Sequence, residues 1–235
     1  MTENVIVAIH QPNFFPWFGF FNKIARSNLF ILMDNVQYPK TGGTWTNRVA
    51  IIIDGQKHWL TVPVIRSFHG TQLVREIQIN NSTPWRQKML KTIQVSYPQA
   101  PFFEEIFPVI DKLVNNQTSS LADFNVHSIQ QIMNLLHMDA SKLVLGSTLE
   151  SNGKATDLLI SMIKSVGGTS YLCGGGASSY QEDQLFDHAG IQLIYQNYQH
   201  PVYPQKNTKE FVPGLSIIDA LMNVGPDEVA KRFVQ

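Results

Sequence analysis

Charge is scarce in this chain. Only 15% of its 235 residues are charged, against roughly 25% in an ordinary soluble domain, and the eighteen basic residues cancel the eighteen acidic ones. A protein that binds nucleic acid by neutralising phosphates carries a basic excess, so no nucleic-acid partner is expected. Cysteine occurs once, at Cys173, which excludes an internal disulfide and a multi-cysteine zinc site. No run approaches the ~18 apolar residues that span a bilayer, and MTENVIVAIHQP lacks the basic start and long apolar region of a signal peptide. A soluble, cytoplasmic protein is the expectation. The patterns H-E-x-x-H, G-x-S-x-G, the P-loop and the dinucleotide fingerprint are all missing, and no metal-ligand spacing occurs.

What the chain does have is apolar residues, 43% of the total, enough for a sizeable core. We expect one α/β domain over 1–235. The apolar surplus also favours a homodimer. Val5–Ile9 reads as a central strand covered on both faces. Phe14–Ala25, with Pro16 in its first turn, reads as a helix, and Leu29–Asp34 as a second buried strand. That order predicts a βαβ unit and a mostly parallel, Rossmann-like sheet flanked by helices.

An antiparallel insertion is expected over 45–80. Its strands are Asn47–Ile53, Lys57–Val64 and Leu73–Ile79, the first two joined by Asp54-Gly55. Residues 85–166 read as largely helical, with helices over Trp85–Tyr97, Pro101–Asn115, Ser119–Leu136 and Ala155–Val166. A second strand–loop–helix–strand segment follows from Thr169. The tail is helical around Ile217–Asn223, with Asn223-Val224-Gly225-Pro226 as a stop signal and a last amphipathic turn or two after it.

Ligands of open α/β sheets bind outside the carboxyl ends of parallel strands. Two loops meet that description. In the first, His10 follows a strand and precedes a helix, where an imidazole can exchange a proton or donate to an oxyanion. Gln11 and Asn13 add neutral donors, although His10 can equally cap the helix. Phe14–Phe21 holds six aromatics; Trp17 can line a flat pocket for a base or sugar ring, or pack in the core. Gly19 permits a close approach there.

The second loop is Gly174-Gly175-Gly176, whose amides can cradle a phosphate or carboxylate or simply form a tight turn. Ser178 and Tyr180 add hydroxyls. Cys173 is a nucleophile or, as is commoner, a small buried hydrophobe. Asp34 can bind a ribose hydroxyl or a metal, and Asn47 with Arg48 can clamp a phosphate. His200 is a candidate second imidazole, and Tyr203 lies in the same polar, aromatic loop. No residue set names a cofactor or a metal.

Several motifs together resemble the WbqC-like family. They are IHQPNFFPWFGFFNKIARSNLFILMDNVQY, TWTNR with HWLTVPV, YLCGGGASSYQ, HPVYPQ and LSIIDALMNVG, in that order over nearly the whole chain. Such proteins are encoded among bacterial surface-polysaccharide (O-antigen) genes, near enzymes that make nucleotide-linked amino sugars. The resemblance implies a transferase acting on a nucleotide-activated sugar or similar phosphorylated metabolite, with acyl or aminoacyl transfer to an amino sugar as its reaction. His10, Gln11 and Arg48 would be its catalytic residues. Family members commonly have Ser where this chain has Cys173, which argues against an essential thiol. Two alternatives stand beside this reading: a non-catalytic metabolite-binding or scaffold protein, and an ATP-dependent nucleotidyltransferase, which the front segment faintly resembles in fold.

Overall fold

The computed structural model describes residues 4–40, 44–67, 69–175, 182–206 and 208–233. β1 (Ile6–His10), α1 (Phe18–Ala25) and β2 (Leu29–Leu32) form the first βαβ unit, with Val7 opposite Leu29 and His10 opposite Leu32 in a parallel register. Val7, Ala8 and Ile9 are all buried, as a strand covered on both faces requires.

The chain then leaves the sheet for about 110 residues. It forms the antiparallel hairpin β3 (Arg48–Ile53) and β4 (Gln56–Thr61), then α2 (Trp85–Ser96), α3 (Phe103–Val114) and α4 (Leu121–Leu135). The hairpin turns at Asp54 and Gly55, both at positive φ (49° and 75°), as a two-residue turn of matching twist demands. The chain returns as β5 (Leu143–Leu145). It continues through α5 (Ala155–Ser165), β6 (Ser170–Cys173), α6 (Asp183–His188) and β7 (Gln192–Tyr195), and ends in α7 (Ile217–Lys231).

The main sheet has the order β5-β2-β1-β6-β7, and every neighbouring pair is parallel. The chain works outward from β1 in one direction through β2 and β5. It then crosses back and works outward in the other direction through β6 and β7. The reversal falls between β1 and β6.

Alternate strand residues serve two cores. Ala8, Phe30, Leu32 and Leu172 pack with α1, α4 and α7. Val7, Ile9, Ile31, Tyr171 and Cys173 pack with Leu159, Met162 and Ile163 of α5 and Phe186 of α6. Each large apolar side chain taken fully out of water contributes about 1.5–3 kcal/mol. No helix among the described residues is long and apolar enough to cross a membrane.

Two segments differ from the sequence-based expectation. Residues 73–79 form no strand. Val74–Glu76 is a 3-10 turn, with the Glu76 carboxylate accepting the Leu73 N–H at 2.8 Å. The N–H groups of Val74 and Arg75 go to Val36 and Asp34, just after β2, and only isolated bridges, Leu73 with Gln37 and Ile79 with Val64, remain of the expected strand. The first helix also starts later than predicted. Phe15 has φ 36° and Pro16 precedes the helix, because the backbone of Phe14–Pro16 is tied to Trp45, Ser216 and Ile217. In the tail the stop signal is a kink, with Gly225 at φ 78°, ψ 165°, and the expected last turns resume as helix after it.

Candidate functional site

A cleft of about 730 Å³ lies outside the carboxyl ends of β1 and β6, where the strand order reverses. Hydrogen-bonded pairing explains its position. The β1–β6 ladder runs in register from Ile6–Ser170 to Ala8–Leu172 and ends there, whereas β1 stays paired with β2 to His10. The strand ends that diverge carry the two loops, and His10, Gln11, Gly174 and Gly175 all line the space between them.

Lys23 occupies the gap. It comes from α1, is 4% exposed, and its ammonium donates to the Ile9 carbonyl at 3.0 Å. Burial lowers its pKa from 10.5 to about 8, against an opposing pull from Cys173. His10, which lines the cleft, donates from Nδ1 to the Gln11 carbonyl at 3.0 Å, which leaves Nε2 as the acceptor of the neutral ring. Burial, and then the neighbouring Lys23 charge, bring this imidazole down to about 4, so it is neutral at physiological pH. The Gln11 side chain is held by the Thr46 hydroxyl, which donates to its Oε1 at 3.3 Å, and the Gln11 amide N–H groups are left for a ligand.

Neighbouring elements fix this geometry. Asn125 of α4, fully buried, donates to both Pro12 O (2.8 Å) and Thr46 O (2.7 Å), clamping the His10 turn to the hairpin segment. Gln196, at the end of β7, donates to Gly19 O and Asn22 Oδ1, which seats the far wall on α1. Trp17 shares the aromatic part of the lining with Phe20 and Tyr198, and is edge-on to Tyr198 at 5.1 Å between centroids. Its ring lies against bare backbone: a Cβ on Gly19 would sit 2.3 Å from the indole. Among the described residues that line the cleft there is no carboxylate.

The other candidates lie elsewhere. Asn13 is buried away from the cleft lining. Asp34 is committed to the protein, accepting the Ser147 N–H at 2.8 Å and the Ser147 hydroxyl at 2.7 Å, so its carboxylate ends β2 and meets no cleft ligand. Asn47 accepts the Thr44 N–H and donates to Val62 O, closing the turn before β3. Arg48 lies over the Trp59 ring, 4.4 Å from its centroid, beside the hairpin rather than in the cleft. His200 packs among Trp17, Phe18 and Tyr198, and its pKa is lowered by burial. Tyr203 donates to the buried Asp219, which also accepts from Tyr97 and Gln205. Cys173 is buried, with its thiol toward Ile194 O. Gly176, Ser178 and Tyr180 lie outside the described residues. Lys23 escaped the sequence reading, although its spacing from Gly19 (i, i+4) already puts both on one helix face.

The sequence pattern of the WbqC-like protein family matches residues 11–231, which takes in Gln11, Trp17, Lys23, the Cys173 strand and α7. The chain belongs to the WbqC-like family. It is also similar to a curated relative, "Uncharacterized protein Rv1507c" of Mycobacterium tuberculosis (strain ATCC 25618 / H37Rv). The two are 29% identical over 222 residues, which is 94% of this chain and 94% of the relative. No solved structure matches.

Proposed function

We propose that this WbqC-like protein is a transferase whose cleft takes a nucleotide-linked sugar or similar phosphorylated metabolite. One observation carries the reading. A buried ammonium, a neutral imidazole and an indole share a space at the switch point of a parallel sheet, with no carboxylate among its described lining. Such a lining favours an anion with a ring attached. Lys23 and the amides of the Gly174–Gly175 turn hold the anionic part, Trp17 takes the ring, and the Gln11 amide orients it.

The reaction that fits is acyl or aminoacyl transfer to the amine of an amino sugar, a step of surface-polysaccharide synthesis. His10 Nε2 accepts the proton of the attacking amine as the N–C bond forms. The imidazolium, with a pKa of about 4, gives that proton to the departing group as the acyl–leaving-group bond breaks. A pool of nucleotide sugars would place this work in the cytoplasm.

The same low pKa favours a second reading. An imidazole this weakly basic suits hydrogen bonding more than proton removal, as in a protein that binds an activated metabolite without turning it over. The test is incubation with UDP-, GDP- and dTDP-linked amino sugars and acyl or aminoacyl donors, read by mass spectrometry, beside calorimetric binding. A transferase gives an acylated sugar, and His10→Gln then abolishes product while leaving binding within about threefold. Binding without product supports the second reading. Pyrophosphate release with ATP would assign nucleotidyl transfer instead. A folded His10→Ala protein with full activity refutes the role of His10.

A further inference from the structure

Two of the four tryptophans are on the surface, at the hairpin. Trp45 is 41% exposed and Trp59 45% exposed. They meet edge to face, with centroids 5.5 Å apart and planes at 70°, and so form the two walls of an open corner. Arg48 lies 4.4 Å from the Trp59 centroid and the Lys57 ammonium 6.0 Å from it. Neither cation has an ion-pair partner among the described residues.

The corner adjoins the cleft along two routes. Trp45 immediately precedes Thr46, whose hydroxyl holds Gln11, and the Trp45 carbonyl accepts the Phe14 N–H at 2.9 Å. Trp59 is directly opposite Ala50 in the hairpin. The Ala50 carbonyl accepts the Ser216 N–H at 2.8 Å, and Ser216 bridges to Trp17.

We propose that Trp45, Trp59 and Arg48 form a subsite for an acidic sugar ring beside the cleft. An indole face is electron-rich and attracts the positively polarised C–H hydrogens of a pyranose face. Arg48 and Lys57, uncompensated at the rim, supply the charge for a carboxylate or phosphate on that sugar. The corner is small, two rings bounded by the polar or charged side chains of Arg48, Lys57 and Thr61. A stable protein interface needs about 800 Å² of each partner, so one or two sugar units fit this surface better than a second protein. That the sugar belongs to the same substrate as the cleft ligand rests on the function proposed above; the subsite itself does not.

The experiment follows the four indole N–H signals of the ¹⁵N-labelled full chain, assigned by single Trp→Phe variants. The probes are trigalacturonic acid, maltotriose and UMP. Trigalacturonic acid is expected to shift the Trp45 and Trp59 signals saturably, and maltotriose to shift them more weakly. Trp45→Ala or Trp59→Ala should weaken the acidic probe about tenfold or more, which corresponds to about 1.4 kcal/mol. Arg48→Met should erase the preference for it over maltotriose. Trp45 and Trp59 are exposed and Arg48 is half-buried, and unchanged melting temperatures would confirm that the variants fold.

Silent Trp45 and Trp59 signals overturn the subsite. So do shifts that follow protein concentration alone, which assign the corner to a second copy of the chain, and shifts with UMP, which assign it to a nucleotide. A parallel titration with a UDP-amino sugar reads Trp17. If Trp17 stays silent while the corner responds, the cleft proposal fails and the subsite stands; the reverse result fails the subsite alone.

Discussion

Replacing Lys23 with Met tests the electrostatic design of the cleft. The folded amine titrates near 8 and the unfolded one near 10.5. Between these values the unfolded chain binds more protons, so stability rises with pH across that window. Below pH 8 the whole penalty of the buried charge is present. At about 1.36 kcal/mol per pH unit, the charged amine costs the fold about 3 kcal/mol at pH 7, most of which is relieved by pH 10. Met keeps the apolar stem and removes the charge. It also leaves the Ile9 carbonyl without its Lys23 donor, a loss of about 1–3 kcal/mol that does not depend on pH. At pH 7 the two effects nearly cancel, and the variant should match the native protein within about 2 kcal/mol. At pH 10 the lost hydrogen bond dominates, and the native protein should lead by about 2–3 kcal/mol more than at pH 7. Urea unfolding of both proteins at the two pH values measures this, since groups titrating alike in both cancel in the difference. A native-minus-variant difference that is the same at pH 7 and pH 10 refutes the argument. Calorimetry on the same variant should show loss of anionic ligands at pH 7.

Gly19→Ala should leave unfolding free energy nearly unchanged, since alanine favours the helix by up to about 1 kcal/mol, while its Cβ drives the Trp17 ring from its seat. An unmoved Trp17 indole signal in the NMR spectrum would contradict this. Asp219→Ala strips the acceptor from the Tyr97 and Tyr203 hydroxyls, at about 1–3 kcal/mol for each buried donor left unpaired, while Gln205 keeps Val212 O. A loss below about 2 kcal/mol in guanidinium unfolding would show that the network matters less than its burial implies.

The architecture was open to reading because its signals are local. An almost purely apolar five-residue run, a proline stop and a second short apolar run suffice for a βαβ unit, and Asp54-Gly55 suffices for a hairpin. Ser120, which caps α4 by accepting the Asp123 N–H, likewise marks its helix start in the sequence. The cleft required more, because it depends on how strands are ordered. That His10 and Gly174 line one space follows from β1 and β6 being neighbours, a fact of topology and not of spacing. Residues 73–79 look like a strand by composition, but the N–H groups of Val74 and Arg75 go to the segment after β2, and that of Ile79 goes to Ser119. Asp34, Asn47 and Tyr203 are polar residues in the right neighbourhood whose hydrogen bonds are spent on the protein itself. Lys23 was hidden because FGFFNKIA reads as a core helix, and nothing in a single sequence shows that its ammonium ends in a gap between diverging strands.

The crossing of the chain between β1 and β6 also governs how the protein is made. About 160 residues separate His10 from Gly174. At synthesis speeds of about 5–20 residues per second, β1 waits roughly 10–30 s on the ribosome for the neighbour that will cover its second edge. Through that interval the backbone of a central strand and the side chains of Val7 and Ile9 are bare to other nascent chains, the hazard that unpaired strand edges carry. Production of this protein should therefore depend on chaperone supply, and fragments that stop short of Ser170 should collect in inclusion bodies.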